Sequence, residues 1–334
     1  MEIEDDIILV DRSTLERYAT CPRQGRFYDL HKPVPNVEMV SGIEAHQVLS
    51  QVVAYFDETW QDATTGDLKE QIMREAFMSR PDVQADVVDA LKYSAWAIAD
   101  YLAKLPAGAL MRFDGGKGGK SGQLAHDIHS VRITSECDLL HATAAKEVVQ
   151  LIDWKSGHKH WTEADVRDAF QFQMLTYLIW ENYPDVQCVR VSIWNTRSNS
   201  KTYSVEFTRD KHYEQISGRV RRAASIYVFN LGHPIEEVDA WPMAGKCEQC
   251  DFAADCAAIQ GVANNESLVQ LLAPKELLAE LHIIDKARNQ IAAALAVHVQ
   301  KTGSDVIDEE TGLCYGIGKP KQTRKPTMEL YERK

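Results

Sequence analysis

Two groups of residues in this 334-residue chain have the types and spacing to bind metal ions. The first is a set of four cysteines at distant positions: Cys21, in Cys21-Pro22-Arg23, and the run Cys247-Glu-Gln-Cys250-Asp-Phe-Ala-Ala-Asp-Cys256. Thiolates take soft metals, so four of them suit either structural Zn²⁺ or an iron–sulfur cluster. The second group is Asp138, Asp153 and Lys155. Asp153 and Lys155 flank Trp154 directly after the apolar run Val148-Val-Gln-Leu-Ile152, and the period-two alternation of a strand puts both on one face. Two carboxylates that converge hold Mg²⁺ or Mn²⁺ in an oxygen-rich cage, and a lysine beside them orients a water or offsets negative charge on a phosphate. These are the parts of metal-assisted phosphodiester hydrolysis. His46, on an early helical stretch, offers an imidazole. Gln173 and Tyr177, four apart on a later helix, project from one face toward the same region.

Composition limits the setting for this chemistry. A hydrophobic fraction of 45% with 26% charged residues is ordinary globular composition, and the length allows one large domain with appendages or two domains. The start, Met1-Glu-Ile-Glu-Asp-Asp6, is acidic where a secretory leader is basic. The longest apolar stretch, Ile291 to Val297, falls far short of the roughly 20 residues a bilayer span needs. A cytoplasmic protein is expected, without membrane association. There, seven cysteines, an odd number, point to metal binding rather than disulfides, and Cys137, Cys188 and Cys314 read as packing residues. The formal net charge of −12 excludes a general electrostatic affinity for nucleic acid. Local basic surface would have to supply it: Lys155 with His158 to His160, the run Arg219-Val-Arg221-Arg222, or the tail Lys319 to Lys325. Each reads equally well as solvated surface.

The elements that must position these residues can be read from periodicity. Ser13-Thr-Leu-Glu16 has the form of a capping box and opens a short helix that ends at Cys21-Pro22. Helical spacing follows over 42–56, 68–77 and 83–105. The glycine-rich run 113–122 has Asp114 where a phosphate-binding loop needs glycine, so it reads as a hairpin loop. Strands follow at 131–141 and 147–154, then one long helix over 163–183 stopped by Pro184, strands at 189–194 and 203–207, and a helix from about 211 to 229. Helices flanking a mixed sheet suit that order. Beyond the cysteines, a helix over 274–302 carries an apolar stripe from Leu277 to Val299, better suited to docking on the protein's own body than to a coiled coil. A small hairpin over 313–317 and a basic tail end the chain.

Taken together, the motifs resemble those of the RecB-type, iron–sulfur branch of the PD-(D/E)xK nuclease superfamily, typified by the CRISPR-associated adaptation nuclease and the nuclease domain of AddB. The resemblance spans about Ser13 to Cys256. It implies an α/β fold: a restriction-endonuclease-like core with a central mixed sheet flanked by helices, a helical N-terminal region and an iron–sulfur-stapled C-terminal region. The implied segments are 1–41 with the first cluster cysteine, 42–235 as the nuclease core with a helical insertion, 236–262 with the other cysteines, and 263–334 as helix, hairpin and tail. By the same resemblance His46, Asp138, Asp153 and the Trp154 carbonyl hold Mg²⁺ or Mn²⁺, and Lys155 positions the attacking water. Gln173 and Tyr177 hold Lys155 and the scissile strand. Cys21, Cys247, Cys250 and Cys256 bind a structural [4Fe-4S] cluster. Two departures, Ser135 where the family often has glycine and Cys137 where it has an aliphatic residue, leave the ligands intact.

The expected activity is a metal-dependent DNA exonuclease acting on single strands or duplex ends in recombination, repair or phage-type DNA processing. A recombination or single-strand-binding protein is an expected partner. The alternative is a non-catalytic DNA-end-binding subunit of a helicase or recombinase assembly. An iron–sulfur redox protein is a third reading, without a flavin, nicotinamide or nucleotide motif to support it.

Overall fold

The computed structural model describes residues 3–4, 7–31, 37–59, 64, 66–68, 70, 97–106, 108–128, 130–145, 147–157, 161–196, 203–241, 247, 250–253, 256, 295, 297–299, 301–302, 306–307 and 314–315. The chain divides into two units, Met1–Asp239 and Ala240–Lys334. No helix among the described residues is long and apolar enough to cross a membrane.

The first unit is a mixed α/β structure, as expected, but it is built on two sheets. One runs β1 (Ile3–Glu4), β2 (Ile7–Asp11), β5 (Val131–Glu136), β4 (Gln123–Ile128), with β2 and β5 parallel and the other pairs antiparallel. The other runs β3 (Leu110–Phe113), β6 (Leu139–Ala142), β7 (Val148–Lys155), β8 (Cys188–Asn195), β9 (Tyr203–Thr208), with β7 and β8 parallel. The single strand expected over 131–141 is therefore two, β5 and β6, one in each sheet. The break falls at Cys137-Asp138. There the Cys137 N–H donates to the Gly122 carbonyl and the Asp138 carbonyl accepts from the Asp114 N–H, which turns the chain out of one ladder and into the other. Likewise the glycine-rich run 113–122 is not a hairpin loop: β3 pairs with β6 and β4 with β5, so it crosses between sheets.

The described helices before the long last one include α1 (Arg12–Thr20), α2 (Pro22–Leu30), α3 (Val37–Thr59), α4 (Glu163–Asp168) and α5 (Phe170–Asn182). The last, α6 (Arg209–Asn230), closes the unit, and residues 97–102 are also helical. Asp11, not Ser13, caps α1: its carboxylate accepts from the Thr14 N–H at 2.8 Å, two residues earlier than the expected capping box. The helix expected over 163–183 is likewise two. Thr162 opens α4 with a reciprocal capping box to Asp165, and Ala169, in extended conformation at φ −64°, ψ 126°, ends it before α5 begins.

α5 is apolar around its whole circumference because it is surrounded: ten of its thirteen residues are buried. Its core joins Leu124, Val131 and Ile133 of one sheet to Val149, Leu151, Val191 and Phe207 of the other, with α1 and α6 closing the sides. A second cluster lies on the opposite face of the five-stranded sheet, where Ile152, Trp154 and Trp194 meet Leu49, Val53 and Phe56 of α3 and Ile98 and Leu102. β7 thus has apolar neighbours on both faces and is buried from Val149 to Trp154, the pattern of a central strand. Full burial of each large apolar side chain stabilises the fold by about 1.5–3 kcal/mol.

In the second unit, β10 (Val306–Ile307) and β11 (Cys314–Tyr315) form an antiparallel hairpin, and residues 297–299 are helical. Most of the helix expected over 274–302, those over 68–77 and 83–96, the clusters at 158–160 and the basic tail lie outside the described residues.

Candidate active site

The acid–base residues converge at one end of the five-stranded sheet. β7 delivers Asp153 and Lys155 on the face that also carries Val149 and Leu151. Asp138 stands at the crossover into β6, held by the neighbouring strand: its Oδ2 accepts the Trp154 main-chain N–H at 2.7 Å. Its Oδ1 lies 3.2 Å from Nδ1 of His46, which α3 brings over the sheet end. α3 approaches closely here; a Cβ on Gly42 would lie 3.2 Å from the Ser156 hydroxyl.

Asp153 is 4% exposed. Its Oδ1 accepts from Nε2 of Gln171 at 2.5 Å. Its Oδ2 lies 2.8 Å from the Lys155 ammonium, an ion pair without hydrogen-bond alignment, and makes no hydrogen bond. The ammonium donates to Oε1 of Gln171 at 3.1 Å and lies 5.6 and 5.7 Å from the ring centroids of Trp161 and Phe172. Burial raises the Asp153 carboxyl above the usual carboxylate range; the Lys155 charge opposes this and Asp138 adds to it. Burial by itself would lower the His46 imidazole, but the hydrogen bond and charge of Asp138, with Asp153 behind, hold it above its ordinary value.

His46, Asp138, Trp154, Asp153 and Lys155 are thus brought together, and Gln173 and Tyr177 are not. Gln173 donates to the Arg167 carbonyl at 2.8 Å and accepts from Arg219 at 2.8 Å, so it fastens the break between α4 and α5 instead of holding Lys155. Tyr177 is fully buried, edge-on to His126 at 5.5 Å between centroids. The interruption at Ala169 is the cause: it resets the helical phase, so Gln171 reaches the strand end and Gln173 does not. Sequence reading missed Gln171 for that reason. It also missed Asp114 and Glu136, which share a hydrogen bond beside Asp138; burial and the Asp114 charge raise the Glu136 carboxyl.

Two carboxylates, an imidazole and main-chain oxygen are the donors that hard divalent cations take, and the buried Asp153 Oδ2 without a hydrogen bond suits such a ligand. Among the described residues no three His, Cys, Asp or Glu side chains are already gathered round one ion position. Asp138 is paired with His46 and Asp153 with Lys155, and a cation would displace these pairings.

The cysteines fall in both units. Cys21 ends α1 and stands before Pro22 at the first turn of α2. α2 is stitched to the end of its own unit, where the Arg23 N–H and Nε donate to the Asp239 and Val238 carbonyls and Arg26 to that of His233. In the second unit, Cys247, Cys250 and Cys256 pack round the buried Ala253, linked by N–H bonds three residues back at Cys250, Ala253 and Cys256.

Two aspartates, a lysine and a helical histidine thus meet at the end of a mixed sheet flanked by helices, on a fold consistent with the restriction endonucleases. The chain belongs to the PD-(D/E)XK nuclease superfamily, whose family model matches residues 12–257. No curated protein matches it. Among solved structures it is similar to SSO0001, at 15% identity over 77% of this chain and 89% of that one with a TM-score of 0.31. It is also similar to a candidate exonuclease from Eubacterium rectale, at 9% identity over 75% and 93% with a TM-score of 0.38. The family assignment rests on the family match.

Proposed function

We propose that this protein is a Mg²⁺- or Mn²⁺-dependent DNA exonuclease that acts on single strands or duplex ends in recombination, repair or phage-type DNA processing. The observation that carries the reading is the convergence of Asp138, Asp153 and Lys155 under His46 at one strand end. Asp138, Asp153, His46 and the Trp154 carbonyl would hold the cation. When bound, the cation polarises the phosphate and makes water a nucleophile at neutral pH. Lys155 holds a positive charge where the phosphate gains negative charge, and orients the attacking water. The water gives up a proton to solvent as its oxygen bonds to phosphorus, the bond to the leaving oxygen breaks, and that oxygen takes up a proton from solvent. Trp161 and Phe172 limit the lysine's wandering and its exposure to bulk water.

For Cys21, Cys247, Cys250 and Cys256 the reading is a structural [4Fe-4S] cluster. It rests on residue type, the Cys-x₂-Cys-x₅-Cys spacing and the sequence resemblance, with the packing of the last three round Ala253 as support.

The test uses anaerobically purified protein and end-labelled single- and double-stranded DNA with Mn²⁺, Mg²⁺ or EDTA. Cation-dependent shortening, abolished by Lys155→Ala, is the expected result, and the labelled end reports polarity. Binding without cleavage by the cation-loaded wild type would replace this reading with an end-binding subunit. Iron and acid-labile sulfide at about four each per chain, lost in Cys250→Ser, would support the cluster; zinc in their place would refute it.

A further inference from the structure

Gln171 is the one residue between Phe170 and Trp180 that is not buried. A half-buried polar residue in the first turn of a helix ordinarily faces water. Gln171 instead closes a ring of contacts inside the site: Nε2 to Asp153 Oδ1 at 2.5 Å, Oε1 to Lys155 Nζ at 3.1 Å, and Lys155 Nζ back to Asp153 Oδ2 at 2.8 Å. An ammonium only donates and a carboxylate only accepts, so one orientation of the amide satisfies both neighbours and the flipped one satisfies neither.

We infer that Gln171 is a positioning residue of the hydrolytic site, whose side-chain amide bridges Asp153 and Lys155 and settles which oxygen of Asp153 is left to take a cation. The inference rests on the hydrolytic reading above. The amide occupies Oδ1, which leaves Oδ2, held only by its ion pair with Lys155, as the oxygen that can turn to a cation. The same amide tethers the ammonium, so the aspartate is not free to rotate and close a two-oxygen grip on Lys155, a pairing that would compete with a cation. Ala169 makes this reach available by breaking the helix two residues earlier.

Gln171→Met keeps the length of the side chain and removes both polar atoms; Gln171→Asn keeps the amide on a shorter arm. The full-length wild type and both variants are compared for kcat and KM on end-labelled single-stranded DNA with Mn²⁺, for Mn²⁺ affinity by calorimetry, and for Tm. The expected result for Gln171→Met is a kcat about 10- to 100-fold lower and an Mn²⁺ affinity reduced in the same direction, the range for residues that orient metal ligands. KM for DNA stays within about twofold; Tm falls by a few degrees, since the buried Oδ1 of Asp153 loses its donor, and part of kcat is recovered in Gln171→Asn. A Gln171→Met protein with kcat and Mn²⁺ affinity both within about twofold of wild type overturns the inference. So does a loss of kcat that tracks a fall in Tm without recovery in Gln171→Asn, since that marks a folding role. A wild type that binds Mn²⁺ but leaves DNA uncut refutes the hydrolytic reading, and the Mn²⁺ affinities of the variants then decide the role of Gln171 alone.

Discussion

In the proposed site Asp153 stands where function and stability oppose each other, and Asp153→Asn separates them. The carboxylate is almost fully buried, one oxygen has no hydrogen bond, and burial raises its pKa against the pull of Lys155. Oδ2 is offset only by the Lys155 charge, and holding a charged carboxylate out of water with incomplete compensation costs roughly 1–3 kcal/mol. Removing one partner of a buried ion pair normally strands the other, but the Lys155 side chain is 23% exposed and keeps Gln171 Oε1 and two aromatic faces. The Asn oxygen can still accept from Gln171, while its NH₂ would face the ammonium and offset part of the gain. A net gain of about 1–2 kcal/mol remains, or about 2–8 °C in Tm for a unit of this size. The sign with pH follows from the raised carboxyl. When both folded and unfolded states are protonated nothing is lost, and the penalty grows as pH rises through the unfolded value of about 3.9 toward the higher folded one. The stabilisation by Asp153→Asn should therefore be full at pH 7 and shrink on acidification. In the same protein, cation-dependent cleavage should fall by at least about 10³-fold, because an amide replaces a charged ligand. Melting curves in EDTA at several pH values, beside the cleavage assay, measure both. A Tm equal to or below that of wild type in EDTA at pH 7 would refute the argument from burial.

Two further outcomes follow from other parts of the fold. His141 is buried on β6, its Nδ1–H donates to the Ala142 carbonyl at 2.8 Å, and Nε2 accepts from the Tyr101 hydroxyl, a neutral ring whose pKa burial lowers. A depressed folded value means that the unfolded chain takes up the proton first, so stability falls as pH drops below about 6.5. The Tm of wild type should drop more steeply than that of His141→Gln between about pH 7 and 5.5; parallel curves would contradict the assignment, and His46, of opposite sign, is common to both. Gly25 of α2 faces Tyr18, where an added Cβ would lie 2.4 Å from Cδ2 and 2.6 Å from Cγ of a ring fixed by Asp29 and the edge of Tyr227. Gly25→Ala should lower stability by at least about 2 kcal/mol although alanine is the better helix former, and an unchanged Tm would show that the ring yields.

The residues proposed to do chemistry were legible in the chain because their signals are local. Asp153 and Lys155 are two apart on a strand whose apolar run marks it as central, and period two alone puts them on one face. The order of strands and helices, and the mixed sheet, follow from periodicities a few residues long. What periodicity cannot report is where an element breaks under the demands of packing. The stretch 131–141 alternates like one strand, yet main-chain bonds from Gly122 and Asp114, distant in sequence, split it between two sheets and leave Asp138 at the crossing. The stretch 163–183 is apolar enough for one helix, yet it breaks at Ala169, with Gln173 and Arg219 satisfying the freed carbonyls of Arg167 and Asp168. That break brings Gln171, and not Gln173, to Asp153 and Lys155. The sequence by itself determined which strand presents the acid and the lysine, since side-chain alternation is a property of the backbone. Only the tertiary structure decided which amide reaches them, because the phase of a helix relative to a strand is set by contacts between residues far apart in the chain.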